Sequence, residues 1–341
     1  MATRVGIMGF GRIGRNVFRI LYPNDDVEIQ AIVDVAEPEA LEYLLKFDTV
    51  HGRFGDPVSV AGDSMYVKGR QIRMLERRAP GDVDWKALGV DIVIEATGQY
   101  RYREQLEKHL EMGAKRVILT VPPRDEIDAL VVMGVNDEVL TAETRIVSNA
   151  SCTANALAPV CKLLNDAFGI DRGLLTIVHA FTNDQRLADV PHSELRRSRA
   201  AGENIIPTGT WAPQAMGRIL PELEGKLDGM ALCVPVPDGS CVDLVTWMKR
   251  EVTPEEVNGV IKSAAATKLR DIVEFTDQPI VSSDVIGNSH SAIFDGLSTQ
   301  VLQGDLLKTV TWYDNGWGYA TRVVELIQRL ARFDDPATEA A

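Results

Sequence analysis

The chain has 341 residues, 45% of them apolar and 25% charged, an ordinary globular composition with material for two domains at roughly 150 residues each. A formal net charge of −13 argues against a nucleic-acid partner, which needs a basic surface, and against an electrostatic hold on anionic membranes. The longest apolar runs fall short of the ~18 residues of a spanning helix, and the four cysteines show neither CxxC spacing nor a histidine cluster, so no metal site is expected.

Taken from the N-terminus, Met1 to Gly6 has no signal-peptide layout, and with free thiols the expected compartment is the reducing cytoplasm. Arg4 to Phe10 reads as a buried strand running into Gly9-Phe10-Gly11-Arg12-Ile13-Gly14, which opens an amphipathic helix through Leu21. In such a loop Gly9 makes the tight turn, Gly11 lets backbone approach a pyrophosphate, and Gly14 allows close helix–strand packing. The helix start then offers N–H groups to phosphates. A bare glycine pattern is weak evidence, but here a second strand, Val27 to Val33, ends in Asp34, 20 residues beyond Gly14. A carboxylate at that spacing bonds the ribose 2′-hydroxyl of NAD and repels the 2′-phosphate of NADP. Strand-like runs at Val90 to Glu95, Arg116 to Leu119 and Ala129 to Met133 follow, separated by helical stretches such as Arg103 to Met112. This βαβ rhythm predicts a doubly wound parallel sheet, whose ligands sit beyond the carboxyl ends of the strands. Ala96-Thr97-Gly98 and Thr120-Val121-Pro122 are therefore candidate cofactor-lining turns.

A further strand-like stretch, Thr144 to Val147, leads through Ser148-Asn149-Ala150-Ser151 to Cys152 and a helix-like run, Leu157 to Ala167. That layout puts the thiol at a helix N-terminus, where the macrodipole and open N–H groups favour a thiolate, with a pKa below the usual value near ~8.5. The strand Leu174 to Val178 ends in His179, a base and orienting partner 27 positions on. Longer alternating strands then appear (Met230 to Pro235, Val242 to Lys249, Thr309 to Tyr313), indicating a mixed or antiparallel sheet. A final helix, Gly318 to Arg332, carries Val323, Leu326, Ile327 and Leu330 on one face, and the tail from Asp334 reads as frayed. The expected architecture is α/β: a Rossmann doubly wound parallel sheet over 1–150, completed by the C-terminal helix 317–333, and an α+β catalytic domain with a mixed sheet over 151–316.

These residues together resemble the phosphorylating glyceraldehyde-3-phosphate dehydrogenase family over nearly the whole chain. The matching stretches include Val5 to Arg15, Asp48 to Phe54, Ser148 to Thr153, His179 to Gln185, Leu195 to Ala201, Ile205 to Thr208, Lys226 to Leu232 and Trp312 to Tyr319. The resemblance implies that Cys152 attacks an aldehyde, that His179 takes the proton, and that inorganic phosphate releases an acyl phosphate from a Cys152 thioester. It implies that Arg12 and Ile13 meet the pyrophosphate, and that Asn315 orients the nicotinamide carboxamide with Tyr319 nearby. Ser151, Thr153, Arg197 and Thr210 match the pattern for the attacking phosphate, and Thr182 and Asp184 that for the substrate phosphate. The segment Thr182 to Ile206 corresponds to a loop reaching a neighbouring subunit, implying a homotetramer.

The chain also departs from the pattern. Trp211 replaces a glycine after Thr210, and an indole would fill space that an anion uses. Cys233 replaces an arginine expected at the substrate phosphate, removing a charge-assisted contact. Gln214 stands where a lysine is common, and Met8, Val33, Ala156 and Gly316 are smaller departures. Arg186, Arg196 and Arg218 are basic residues available to compensate. Three readings follow: NAD-dependent oxidation of glyceraldehyde 3-phosphate; a paralogous enzyme for erythrose 4-phosphate or a less charged tail; and an NAD-binding redox-sensing module with little catalysis.

Overall fold

The computed structural model describes residues 2–77 and 79–334, so most of the tail read as frayed lies outside the described residues. The chain forms two compact units. One takes everything described before Val132, together with Asp137–Ala150 and the chain from Ala320 on; the other takes Val132–Asn136 and Ser151–Tyr319.

Among the described residues the first unit holds a nine-stranded sheet. Its parallel part runs, edge to edge, through Ala129–Leu130, Ile146–Ser148, Arg116–Leu119, Ile92–Glu95, Thr3–Met8, Val27–Asp34 and Arg70–Glu76. Strands buried on both faces are mostly apolar, and Ile92–Glu95 and Arg116–Leu119 are buried at every position, with the charged Glu95 and Arg116 each at one end. One face carries Met8, Val33 and Val93 against Trp85, and another cluster joins Leu106 to Val117, Leu119 and Ile146. Met8 and Val33, two of the departures near the glycine loop, are direct partners in the sheet and share that core. They act as one apolar exchange in the interior. An antiparallel pair, Val58–Ala61 and Ser64–Val67, extends the sheet beyond Arg70–Glu76. The sequence reading found no strand there, because Gly62-Asp63 and Lys68-Gly69 interrupt short alternating runs.

The second unit is built on an eight-stranded mixed sheet among the described residues. Its centre is Ile170–Ala180, parallel to Leu227–Val234 on one side and antiparallel to Ser240–Met248 on the other. The helix Cys152–Phe168 is apolar on most of its surface, with twelve buried residues, as a helix enclosed by a core must be. Ser151 caps it: its Oγ accepts the Ala154 N–H at 3.1 Å.

Candidate active site

In the first unit the strand Thr3–Met8 passes directly into the helix Arg12–Leu21. Gly9 has φ +93, and a Cβ there would lie 2.6 Å from the backbone of Ala96 and Thr97. At Gly14 a Cβ would lie 2.1 Å from the Gly9 carbonyl oxygen, so only glycine allows this crossing. Gly11 is different. A Cβ there would meet nothing within 4 Å, and the helix start at Gly11 has no side-chain cap. That combination is an open approach to the backbone at the helix start, with half-buried Arg12 and Ile13 on the first turn. Asp34 closes the second strand; its carboxylate accepts from Phe10 N–H at 2.7 Å and from Val35 and Ala36 at 2.7 and 3.1 Å. These bonds fix the carboxylate and leave it acceptor capacity for a diol. Thr97 and Gly98 form a half-buried turn after Glu95, and buried Thr120 is bonded to the Glu95 carbonyl. The set fits an adenine dinucleotide with an unphosphorylated ribose.

In the second unit Cys152 is the first residue of its helix and His179 lies near the end of the central strand. Ala150, two residues before the thiol, has φ +55, a left-handed turn that non-glycine residues seldom adopt. Sγ and His179 Nε2 are 3.5 Å apart. The other ring nitrogen, Nδ1, lies 2.6 Å from the Ala180 carbonyl, which can only accept. Nδ1 therefore holds the proton and Nε2 faces the sulfur bare, ready to take one. Burial pushes the Cys152 thiol up to about 11, with Asp238 adding to the rise, while the N–H and hydroxyl of Thr153 pull it down. This corrects the sequence expectation of a lowered value: the helix start alone does not offset the cost of a buried charge. The base within reach of the sulfur is His179, at 3.5 Å. Tyr313, whose ring meets the imidazole edge-on at 6.1 Å, also lies 2.9 Å from Thr153 Oγ1 through its hydroxyl.

The anion residues divide into groups. Arg197 donates to Asp184, to Glu194 at 3.1 Å and to Thr208 at 2.7 Å. Thr182 donates to Asp184 and to Gln185, and the Gln185 amide donates to Cys233 Sγ at 3.3 Å. Cys233 is 7% exposed and is the direct sheet partner of His179, so the neutral sulfur stands beside the base. Thr182, Asp184, Arg197 and Cys233 thus form one bonded cluster, joined by Gln185, Thr208 and Glu194, which were not among the sequence candidates. Thr210 accepts from Ala212 N–H, and Trp211 starts the helix Ala212–Ile219 with the Arg218 guanidinium over its ring at 5.8 Å. One of the compensating arginines is therefore engaged with the indole, while Arg186 and Arg196 are exposed. Asn315 is buried; its Oδ1 accepts from Ser240 at 2.8 Å and its N–H donates to Asp238 at 3.2 Å. Tyr319 is buried as well. Asp238 and Ser240, which hold Asn315, escaped sequence reading because only the tertiary fold brings positions 238–240 to 315.

Two family models match: the glyceraldehyde 3-phosphate dehydrogenase NAD binding domain over residues 3–103 and the C-terminal domain of the same enzyme over 151–315. The chain is 49% identical to glyceraldehyde-3-phosphate dehydrogenase of Geobacillus stearothermophilus over 332 residues, covering 97% of this chain and 99% of the relative. It belongs to the glyceraldehyde-3-phosphate dehydrogenase family. Identity is 50% to the Streptomyces coelicolor enzyme (96% of this chain, 98% of the relative) and 48% to glyceraldehyde-3-phosphate dehydrogenase 1 of Bacillus subtilis (97% and 99%). In this chain Cys233 lies beside the base and Trp211 lies under Arg218.

Proposed function

We propose that this chain oxidises glyceraldehyde 3-phosphate with NAD and inorganic phosphate, giving an acyl phosphate through a thioester on Cys152. The observation that carries the reading is the Cys152–His179 pair, 3.5 Å apart with the imidazole tautomer set by Ala180. The thiol proton passes to Nε2, and the sulfur adds to the aldehyde carbon. Its oxygen takes the proton back to give a hemithioacetal. The N–H groups at the helix start stabilise the oxygen while it is negative. His179 next removes the hydroxyl proton. NAD, held by Gly9, Gly11, Arg12, Ile13, Gly14, Asp34, Thr97, Gly98 and Thr120, supplies the acceptor for the hydride. A phosphate oxygen, positioned by Ser151, Thr153, Arg197 and Thr210, then attacks the thioester. The C–S bond breaks, the acyl phosphate leaves, and the departing thiolate takes back the proton held on His179 Nε2. Asn315 and Tyr319 are assigned to the nicotinamide carboxamide, and Thr182 and Asp184 to the substrate tail.

We place the protein in the cytoplasm as a homotetramer. Among the described residues no helix is long and apolar enough to cross a membrane, and all four cysteines are free. The segment 182–206, a mostly polar loop, leaves Leu187 88%, Leu195 84% and Ile205 65% exposed, apolar side chains suited to a neighbouring subunit.

The test is NADH formation from glyceraldehyde 3-phosphate with and without inorganic phosphate: sustained turnover that requires phosphate is expected. Cys233 favours a second reading, a paralogous enzyme for erythrose 4-phosphate or a less charged aldehyde. Negligible turnover of glyceraldehyde 3-phosphate with good turnover of such an aldehyde would decide for it.

A further inference from the structure

The first unit encloses a polar chain that takes no part in the chemistry above. Trp85, His109 and Glu95 are each 0% exposed. The Trp85 indole N–H donates to His109 Nδ1 at 3.0 Å, and His109 Nε2 lies 3.2 Å from Glu95 Oε2. An indole only donates, so Nδ1 is the bare nitrogen and Nε2 carries the proton directed at the carboxylate. The other oxygen, Oε1, accepts the N–H of Thr97 at 2.9 Å and its hydroxyl at 2.5 Å. Thr97 Oγ1 in turn accepts Gln99 N–H at 3.1 Å. The Glu95 carbonyl takes the N–H and hydroxyl of Thr120 at 3.0 and 3.1 Å. One buried glutamate therefore ties down both turns at the carboxyl end of the sheet. Gly9 borders the same turn so closely that no Cβ fits between them.

We infer that Trp85, His109 and Glu95 are positioning residues for dinucleotide binding, acting through Glu95 on the Thr97–Gly98 turn. This rests on the proposed binding of NAD by the first unit. A buried carboxylate holds its place only while its donors are complete, and an unpaired polar group in this core is costly. Removing the imidazole leaves Glu95 one donor short and strands the indole N–H. Thr97, bonded twice to the same carboxylate, shifts with it.

The experiment is calorimetric titration of NAD into the full chain as wild type, His109→Leu, His109→Gln and Trp85→Phe. A glutamine amide can accept from the indole and donate to Glu95, so it can restore the chain that leucine breaks. The dissociation constant for NAD should rise roughly tenfold in His109→Leu and about threefold in Trp85→Phe, and stay within about twofold of wild type in His109→Gln. Alkylation of Cys152 by iodoacetamide, measured without NAD, should proceed at the same rate in all four. Should His109→Leu fail to fold, Trp85→Phe carries the test, since it keeps an aromatic ring in the same buried position. Wild-type affinity in folded His109→Leu or Trp85→Phe would overturn the inference, as would His109→Gln binding as weakly as His109→Leu. A wild type that binds no NAD would instead overturn the function proposed above, and this inference with it.

Discussion

At Cys152 two effects oppose each other. Burial holds the thiol up to about 11, while a base with its lone pair facing the sulfur offers the proton a destination. With His179→Asn the imidazolium is lost and the thiolate keeps only the helix start and Thr153. The midpoint of the pH dependence of Cys152 alkylation should then move upward. An identical profile in wild type and variant would show that the imidazole does not support the thiolate. Cys233 is the second residue at which a single side chain can be tested. A guanidinium in place of this neutral sulfur, beside His179 and Gln185, adds a charge-assisted contact for a phosphate. Cys233→Arg should lower KM for phosphorylated aldehydes by roughly tenfold. An unchanged or higher KM would mean that position 233 does not face the substrate tail.

Among the elements, the strand–loop–helix at Gly9–Gly14 separates two roles of glycine. Gly14→Ala drives a Cβ to 2.1 Å from the Gly9 carbonyl oxygen and should lower stability by about 1–3 kcal/mol. Gly11→Ala meets open space, so stability should change by about 0.5 kcal/mol or less while NAD affinity falls. Chemical denaturation and NAD titration of the two variants check this, and equal destabilisation by both would contradict it. This element was legible in sequence because the glycines, the strand before them and Asp34 are all local. The meeting of Cys152 and His179 was legible for a similar reason: Cys152 opens a helix after a polar turn, and His179 ends a strand-like run. What sequence did not reveal was the desolvation of half-buried Cys152, which pushes its thiol up. Helices were also missed where their signals were present. Pro254–Ala266 has Thr253 and Glu256 in a capping box with proline at its start, and Pro38–Lys46 also begins with proline. Both carry narrow apolar faces, with three and two buried residues, so periodicity was a weak guide.

For the whole molecule, the apolar side chains of the segment 182–206 carry the expectation of assembly. Sedimentation should give four times the mass of one chain, and Leu195→Asp, placing charge on a side chain 84% exposed, should favour smaller species. A wild type that sediments as a monomer at micromolar concentration would refute the tetramer. The central claim concerns the covalent intermediate, which can be observed directly. The protein is mixed with NAD and glyceraldehyde 3-phosphate without inorganic phosphate, quenched in acid and analysed by peptide mass spectrometry. The account predicts an acyl group on the peptide containing Cys152, which disappears when phosphate is added before the quench. NADH formation with Cys152 unmodified throughout would contradict it.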